Sequence, residues 1–270
     1  ESNKRNFIVH GSILAIAGIL VRIIGMLYRI PVVNIIGSEG NGIYGAAFNI
    51  YNIMLVLSSY GLPMAVSKLV SARFTKRRYK SAAKVLRCSL MVAVCTGGIA
   101  ALLVFFGASF IENVIYGGGL PGLAIPLRIL APTIFLVAIL GVIRGFFQGQ
   151  STMIPTAVSQ ILEQIVNAIV SIAAGYGMMK AFASSPDVAA YGAAGSTLGT
   201  AMGALTAVLF MGFLYAVYTP TFNRLKRKDR HTENQSTGQI CKIIIYTMIP
   251  IILGQTFYQI SALIDDVMFS

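Results

Sequence analysis

Acidic residues are scarce in this chain. Nine Asp and Glu stand against 21 Lys and Arg in 270 residues, and charge of either sign makes up only 11%. Soluble domains run nearer a quarter charged, so this composition excludes an ordinary soluble fold. The inventory for catalysis is thin. Cys88, Cys95 and Cys241 show no CxxC or other paired spacing, which leaves them as small packing residues. The two histidines, His10 and His231, lie far apart in the chain. Asp265 and Asp266 form the sole adjacent carboxylate pair, and a metal-dependent prenyl transferase would need a second acidic cluster. No GxxxxGK[ST] loop occurs, so nothing in these residues would drive a pump with ATP. Residues 117–122 (GGGLPG) fit GxGxxG formally but lack the strand before and helix after that a dinucleotide site requires. Tryptophan is absent altogether. No enzyme, metal or cofactor is implied.

What the chain does have is length in apolar runs. Hydrophobic residues make up 56%, and the mean hydropathy is +0.76. A formal charge of +12 invites a nucleic-acid partner. The bases, however, cluster between apolar runs, which is the layout of membrane loops. Seven segments emerge, near 7–36, 42–70, 88–110, 123–147, 156–179, 191–218 and 240–270. A membrane-crossing helix needs about 20 apolar residues, so the expectation is an all-α integral membrane protein. The first run is too long for a cleaved signal peptide and is followed by no small-residue cleavage pattern. Residues 37–41 predict a turn, Pro63 a kink in the second segment, and Pro155 a helix start capped by Ser151 or Thr152. Residues 219–239 read as a polar basic linker. Lys and Arg gather at the N-terminus, in residues 68–87, at Arg144 and in the linker, whereas Glu39, Glu112 and Asp187 fall on the opposite side. Lys180 is the base of those opposite loops, and seven crossings with an inside N-terminus satisfy every loop, with Arg128 at the outer start of the fourth segment as the exception.

Polar residues within the apolar runs carry the functional signal. Arg22 and Arg29 stand seven apart, on nearly one helical face and about 10 Å apart along the axis. Each costs roughly 2.5–3.5 kcal/mol at the centre of a membrane helix. One account is a buried ion pair with Glu163 or with a later acid. The other is a cationic spot that binds an anion, because guanidinium matches phosphate oxygens in bidentate geometry. In the fifth segment Gln160, Glu163, Gln164 and Asn167 share a face, for interhelical hydrogen bonding or for a cavity; Asn49 and Asn52 make a smaller patch in the second. Arg144, at an inner helix end, is explained by snorkelling and the helix dipole, although Glu163 could also pair with it or with another arginine of the bundle. Two glycine series at four-residue spacing, Gly195/Gly199/Gly203 and Gly141/Gly145/Gly149, predict close helix approach.

Several stretches resemble a known family. RGFFQGQSTMIPTAVSQILEQIVN (144–167), RIIGMLYRI (22–30), IIGSEGNGIYGAAFNIYN (35–52), YGLPMAVSKLVS (60–71) and IPIILGQTFYQISALIDDVMF (249–269) are similar to segments of the SpoVB/MurJ-type lipid flippases, within the multidrug/oligosaccharidyl-lipid/polysaccharide (MOP) exporter superfamily. The resemblance implies a V-shaped transporter of two six-helix lobes. Residues 1–218 would form the N-lobe, 219–239 a cytoplasmic linker, and 240–270 the first helix of the second lobe. It implies a flippase for an undecaprenyl-diphosphate-linked, lipid II-like precursor in the bacterial cytoplasmic membrane, with Arg22 and Arg29 on the diphosphate and an ion gradient or the membrane potential as drive. Related members carry an arginine in the second helix, where this chain has Met54-Leu55; Glu39 does not align with their acid after the first helix. The alternatives are an exporter of another lipid-linked polymer, a drug or cation exporter of the same superfamily, and, further off, a membrane scaffold or a polyprenyl-phosphate enzyme.

Overall fold

In the computed structural model the backbone is described for residues 2–231 and 235–269, and side chains for 11–231 and 235–255. Asp265, Asp266 and His10 lie outside the described side chains. The elements are α1 (Ser2–Ser58), α2 (Leu62–Thr75), α3 (Tyr79–Phe110) with a π-turn at Ile111–Ile115, α4 (Ala124–Gly149), α5 (Ile154–Ala181), α6 (Val188–Lys228) and α7 (Thr237–Phe269). Six helical stretches are long and apolar enough to cross a membrane. The first of these, residues 11–75, contains a reversal. Gly37 takes φ 72° and ψ −176°, which breaks α1 into two limbs. Arg29 and Tyr44 would lie about 22 Å apart on a straight helix. Instead the Arg29 guanidinium sits 5.8 Å from the Tyr44 ring centre, so the chain folds back between them. Splitting that stretch at Gly37 gives seven candidate spans among the described residues, the number read from the hydropathy pattern. The expected five-residue turn is drawn in to one residue, because the helical hydrogen bonding resumes directly after Gly37.

Other boundaries differ from expectation. Pro63 does not kink a continuous helix; the second limb of α1 ends at Ser58, and Pro63 opens α2 from within its first turn. At that position its missing N–H and fixed φ cost nothing. Pro155 likewise opens α5, but neither Ser151 nor Thr152 caps it: the N-cap is Met153, without a side-chain bond. Helix α6 runs ten residues past Tyr218, through Pro220, to Lys228. Phe222 explains the extension. It is 1% exposed and packs among Phe74, Phe146 and Tyr218, with ring centres 5.3–6.1 Å away, so unwinding α6 earlier would pull it out of an aromatic cluster.

The segment that follows is pinned down. Buried Asp229 accepts hydrogen bonds from the backbone N–H of Lys80 (2.9 Å) and of His231 (2.9 Å), and its Oδ1 lies 3.0 Å from the His231 ring Nδ1. Burial pushes the Asp229 carboxyl up, but these contacts outweigh it and hold the group below the ordinary carboxylate range. Arg73 reaches Gln235 Oε1 at 2.9 Å, and Lys84 donates to the Gln235 carbonyl.

At the opposite end Glu112 closes the glycine-rich loop. Its two oxygens accept the N–H groups of Gly122 (3.1 Å) and Ala124 (2.8 Å), capping α4 with a negative charge. Residues 117–122 therefore serve a turn, with positive φ at Gly117, Gly118 and Gly122. The described residues contain no group of three or more potential metal ligands.

Candidate functional site

Helix α5 supplies most of the polar groups inside the bundle, and α6 fixes where they point. A Cβ on Gly203 would stand 2.6 Å from the Glu163 carbonyl, and one on Gly199 would meet the Asn167 carbonyl at 2.5 Å and overlap Ser171. Backbone thus lies on backbone along one side of α5. Asn167 is buried by this contact and held by three hydrogen bonds: it donates to the Tyr28 hydroxyl (3.3 Å) and accepts from Ser171 (2.9 Å) and Thr200 (3.4 Å). It holds α1, α5 and α6 together.

The other three polar residues of α5 look toward α4 and α1. Glu163 Oε2 lies 2.7 Å from Arg144 Nη2, in an ion pair whose side chains are 26% and 15% exposed. Arg144 Nε donates to Ser159 at 2.9 Å, and Ser159 donates on to the Thr156 carbonyl at 2.8 Å. Gln160 lines an open cavity of about 300 Å³ with Arg144, Gln148, Thr156, Ser59 and Tyr60. Of the two accounts of Arg144, pairing with Glu163 is realised and snorkelling is not. Its guanidinium reaches sideways to a carboxylate, which in low dielectric gains more than an excursion to the interface. Glycines again permit the geometry, since Gly145 and Gly149 approach the carbonyls of Pro63 and Ser67 to 2.6 and 2.8 Å when given a Cβ, bringing α2 against α4 on one side of the cavity.

Arg22 and Arg29 lie elsewhere. The first limb of α1 is seated on the bundle by a narrow stripe of Ala17, Val21, Ile24 and Tyr28, while Ile19, Ile23, Met26 and Ile30 are open. Both arginines are exposed at the edge of that stripe. Arg29 rests on Tyr44; Arg22 makes no hydrogen bond or ion pair among the described residues. Its depth can be fixed. Gln164 Nε2 would lie 3.2 Å from a Cβ on Gly25, and Asn167 bonds Tyr28, so α1 and α5 run parallel with one offset of 139 residues. Parallel helices share a rise, which puts Arg22 level with Gln160 and Ile161, beside the depth of the Arg144–Glu163 pair. The alternative of a buried pair between Glu163 and Arg22 or Arg29 is not realised, because Arg144 takes the carboxylate.

Asn49 and Asn52 are half-buried and make no hydrogen bond among the described residues. Four polar cavity residues were missed by sequence reasoning: Gln148, Thr156, Ser59 and Tyr60. Gln148 had a signal, since it stands one helical turn beyond Arg144 on the same face. Ser59 and Tyr60 had none; they reach the cavity only because the second limb of α1 stops at Ser58.

Residues 8–270 match the family described as polysaccharide biosynthesis protein. The chain is 34% identical over 176 residues to the lipid II flippase MurJ of Bacillus subtilis (strain 168), covering 63% of this chain and 32% of that protein. Stage V sporulation protein B of the same organism is 30% identical over 210 residues, covering 77% and 39%. A solved structure of an outward-facing multidrug resistance MATE family transporter of the MOP superfamily superposes with a TM-score of 0.69 at 18% identity, over 90% of this chain and 52% of that one. The chain thus spans well under two thirds of each. The fold is the one that transporter structure has, and the chain belongs to the polysaccharide biosynthesis protein family.

Proposed function

We propose that the chain is the first-lobe portion of a flippase that moves a polyprenyl-diphosphate-linked, lipid II-like oligosaccharide across the bacterial cytoplasmic membrane, with its basic end and N-terminus in the cytoplasm. The observation that carries this reading is the division of charge between α1 and α4. Among the described residues Arg144 is neutralised by Glu163, whereas Arg22 meets no counter-charge and Arg29 only an aromatic face. Two guanidinium groups on an open helix face, about 10 Å apart, suit a diphosphate whose polyprenyl tail stays in lipid. Gln160 and Gln164, at the same depth, would meet sugar or peptide groups. Glu163 would serve as the coupling acid only if the Arg144 pair opens during transport, and Asn167 and its partners would keep α1 seated. Asn49 and Asn52 remain as further polar groups of the route. Alternating access would come from rocking of repeat-related lobes about this level, driven by an ion gradient or the membrane potential. Similarity to a lipid II flippase supports the substrate class.

A cation exporter on the same fold would want an uncompensated acid in the bundle; among the described residues Glu163 is the acid at this depth, and it is paired.

The test is replacement in the full-length protein. Arg22→Ala with Arg29→Ala should insert and accumulate normally yet fail to restore growth in cells depleted of their precursor flippase, with lipid-linked precursor building up on the inner leaflet. Full growth support by that double variant sinks the diphosphate reading.

A further inference from the structure

A second cationic feature lies at the basic end, on a different helix from Arg22 and Arg29. An open groove of about 480 Å³ runs between the first turns of α3, the last turn of α6 and the start of α7. Lys80, Lys84, Arg87 and Lys226 line it, and among the described residues no carboxylate does. None of the four is in an ion pair among the described residues. Lys84 gives one of its three hydrogens to the Gln235 carbonyl, and Lys226 lies 5.2 Å from the Phe222 ring centre. The neighbouring acid, Asp229, is already engaged by the backbone of Lys80 and by His231. Four like charges with no acid set against them among the described residues attract an anion.

The face below the bases says which kind. Lys80, Lys84, Arg87 and Met91 follow one another at spacings of four, three and four, so they form one stripe of α3. The stripe continues through Val94 and Leu102, which are 48% and 58% exposed, as Met91 is 49% exposed. One helix face is thus cationic for its first two turns and apolar and uncovered for the turns after. In a membrane helix the apolar portion stands in hydrocarbon and the bases at headgroup level. A soluble acidic partner would have no use for the lower half. A phospholipid uses both.

We propose that this groove binds an anionic phospholipid, its phosphate held by Lys84, Arg87 and Lys226 and its acyl chains laid along Met91 and Leu102. Because Thr237 closes the groove from the α7 side, a bound lipid would tie the start of α7 to α3 and α6. This proposal does not depend on what the protein transports.

The chain contains no tryptophan, so Met91→Trp places a fluorophore at the junction of the two halves. The full-length protein carrying it is reconstituted in phosphatidylcholine vesicles containing either brominated phosphatidylglycerol or brominated phosphatidylcholine, and quenching is read against the protein without the substitution. Half-maximal quenching should need a roughly fivefold lower mole fraction of the anionic lipid. Lys84→Gln, Arg87→Gln and Lys226→Gln together should bring the two curves into coincidence. Lys76→Gln with Arg78→Gln, exposed bases outside the groove, should leave them apart. Equal quenching by both lipids overturns the proposal. So does equal loss of preference in the Lys76/Arg78 variant, which would mean diffuse surface charge. Abolition of the preference by millimolar inorganic phosphate overturns it too, since the site would then be one for the free ion.

Discussion

Arg144 and Arg22 are one residue type on two helices of the same bundle, and their surroundings give them opposite tasks. Around Arg144 the groups are satisfied pairwise: carboxylate, hydroxyl, carbonyl. Removing one partner leaves a charge in low dielectric, whereas removing both leaves a gap that apolar groups can fill. Arg144→Met alone should therefore lower stability by about 3 kcal/mol, and Arg144→Met with Glu163→Leu should recover most of it. Thermal unfolding in detergent, followed by loss of the monodisperse chromatographic peak, measures both. A double variant no better than the single one would mean that the pair is not a closed unit. The polar stripe of α5 was legible in the sequence because helical spacing alone aligns residues 160, 163, 164 and 167. Which of them does what was not. Asn167 and Gln160 sit seven residues apart on that face, yet one is sealed by α6 glycines and the other opens on a cavity, and that difference belongs to the neighbouring helix.

At the scale of elements, small residues decide the architecture. Gly199 and Gly212 lie on one helix, but a methyl group on the first would strike the backbone of α5 and on the second would meet nothing within 4 Å. Gly199→Ala should cost roughly 1–3 kcal/mol through overpacking, while Gly212→Ala should be neutral or slightly stabilising by its helix propensity. Comparing the melting of the two variants separates contact from propensity, and equal effects would refute the contact. Both glycine series were readable as close-approach surfaces from their four-residue spacing, though not the helices that would use them. The misread elements share a cause. A proline marks a constraint on the backbone without saying on which side of it the helix lies: Pro63 opens a helix rather than kinking one, and Pro220 is carried inside one because Phe222 must stay buried.

For the whole molecule, the hydropathy pattern and the reversal at Gly37 give one topology, and the Lys and Arg bias gives it a direction. In a variant with Cys88, Cys95 and Cys241 replaced by serine, Ser38→Cys should react with a membrane-impermeant maleimide added to intact cells. Arg77→Cys should react only after lysis. The reverse pattern would invert the orientation and move the proposed lipid groove to the outer leaflet. Number and order of crossings were available from the sequence since apolar length is a local property. The cavity was not, because its walls come from α2, α4 and α5 and from the turn after Ser58, and nothing local in any of them points to the others.

The unequal seating of the helices has a mechanical consequence. Helices α5 and α6 touch backbone to backbone, so they can only travel together, as a single stiff beam. The first limb of α1 rests on one thin stripe and is joined to the rest through a single residue. A force applied across the bundle would be taken up there first, by tilting of a rod about Gly37. The two arginines ride on that limb, so the part of the protein proposed to hold the cargo is joined to the rest of the chain through Gly37.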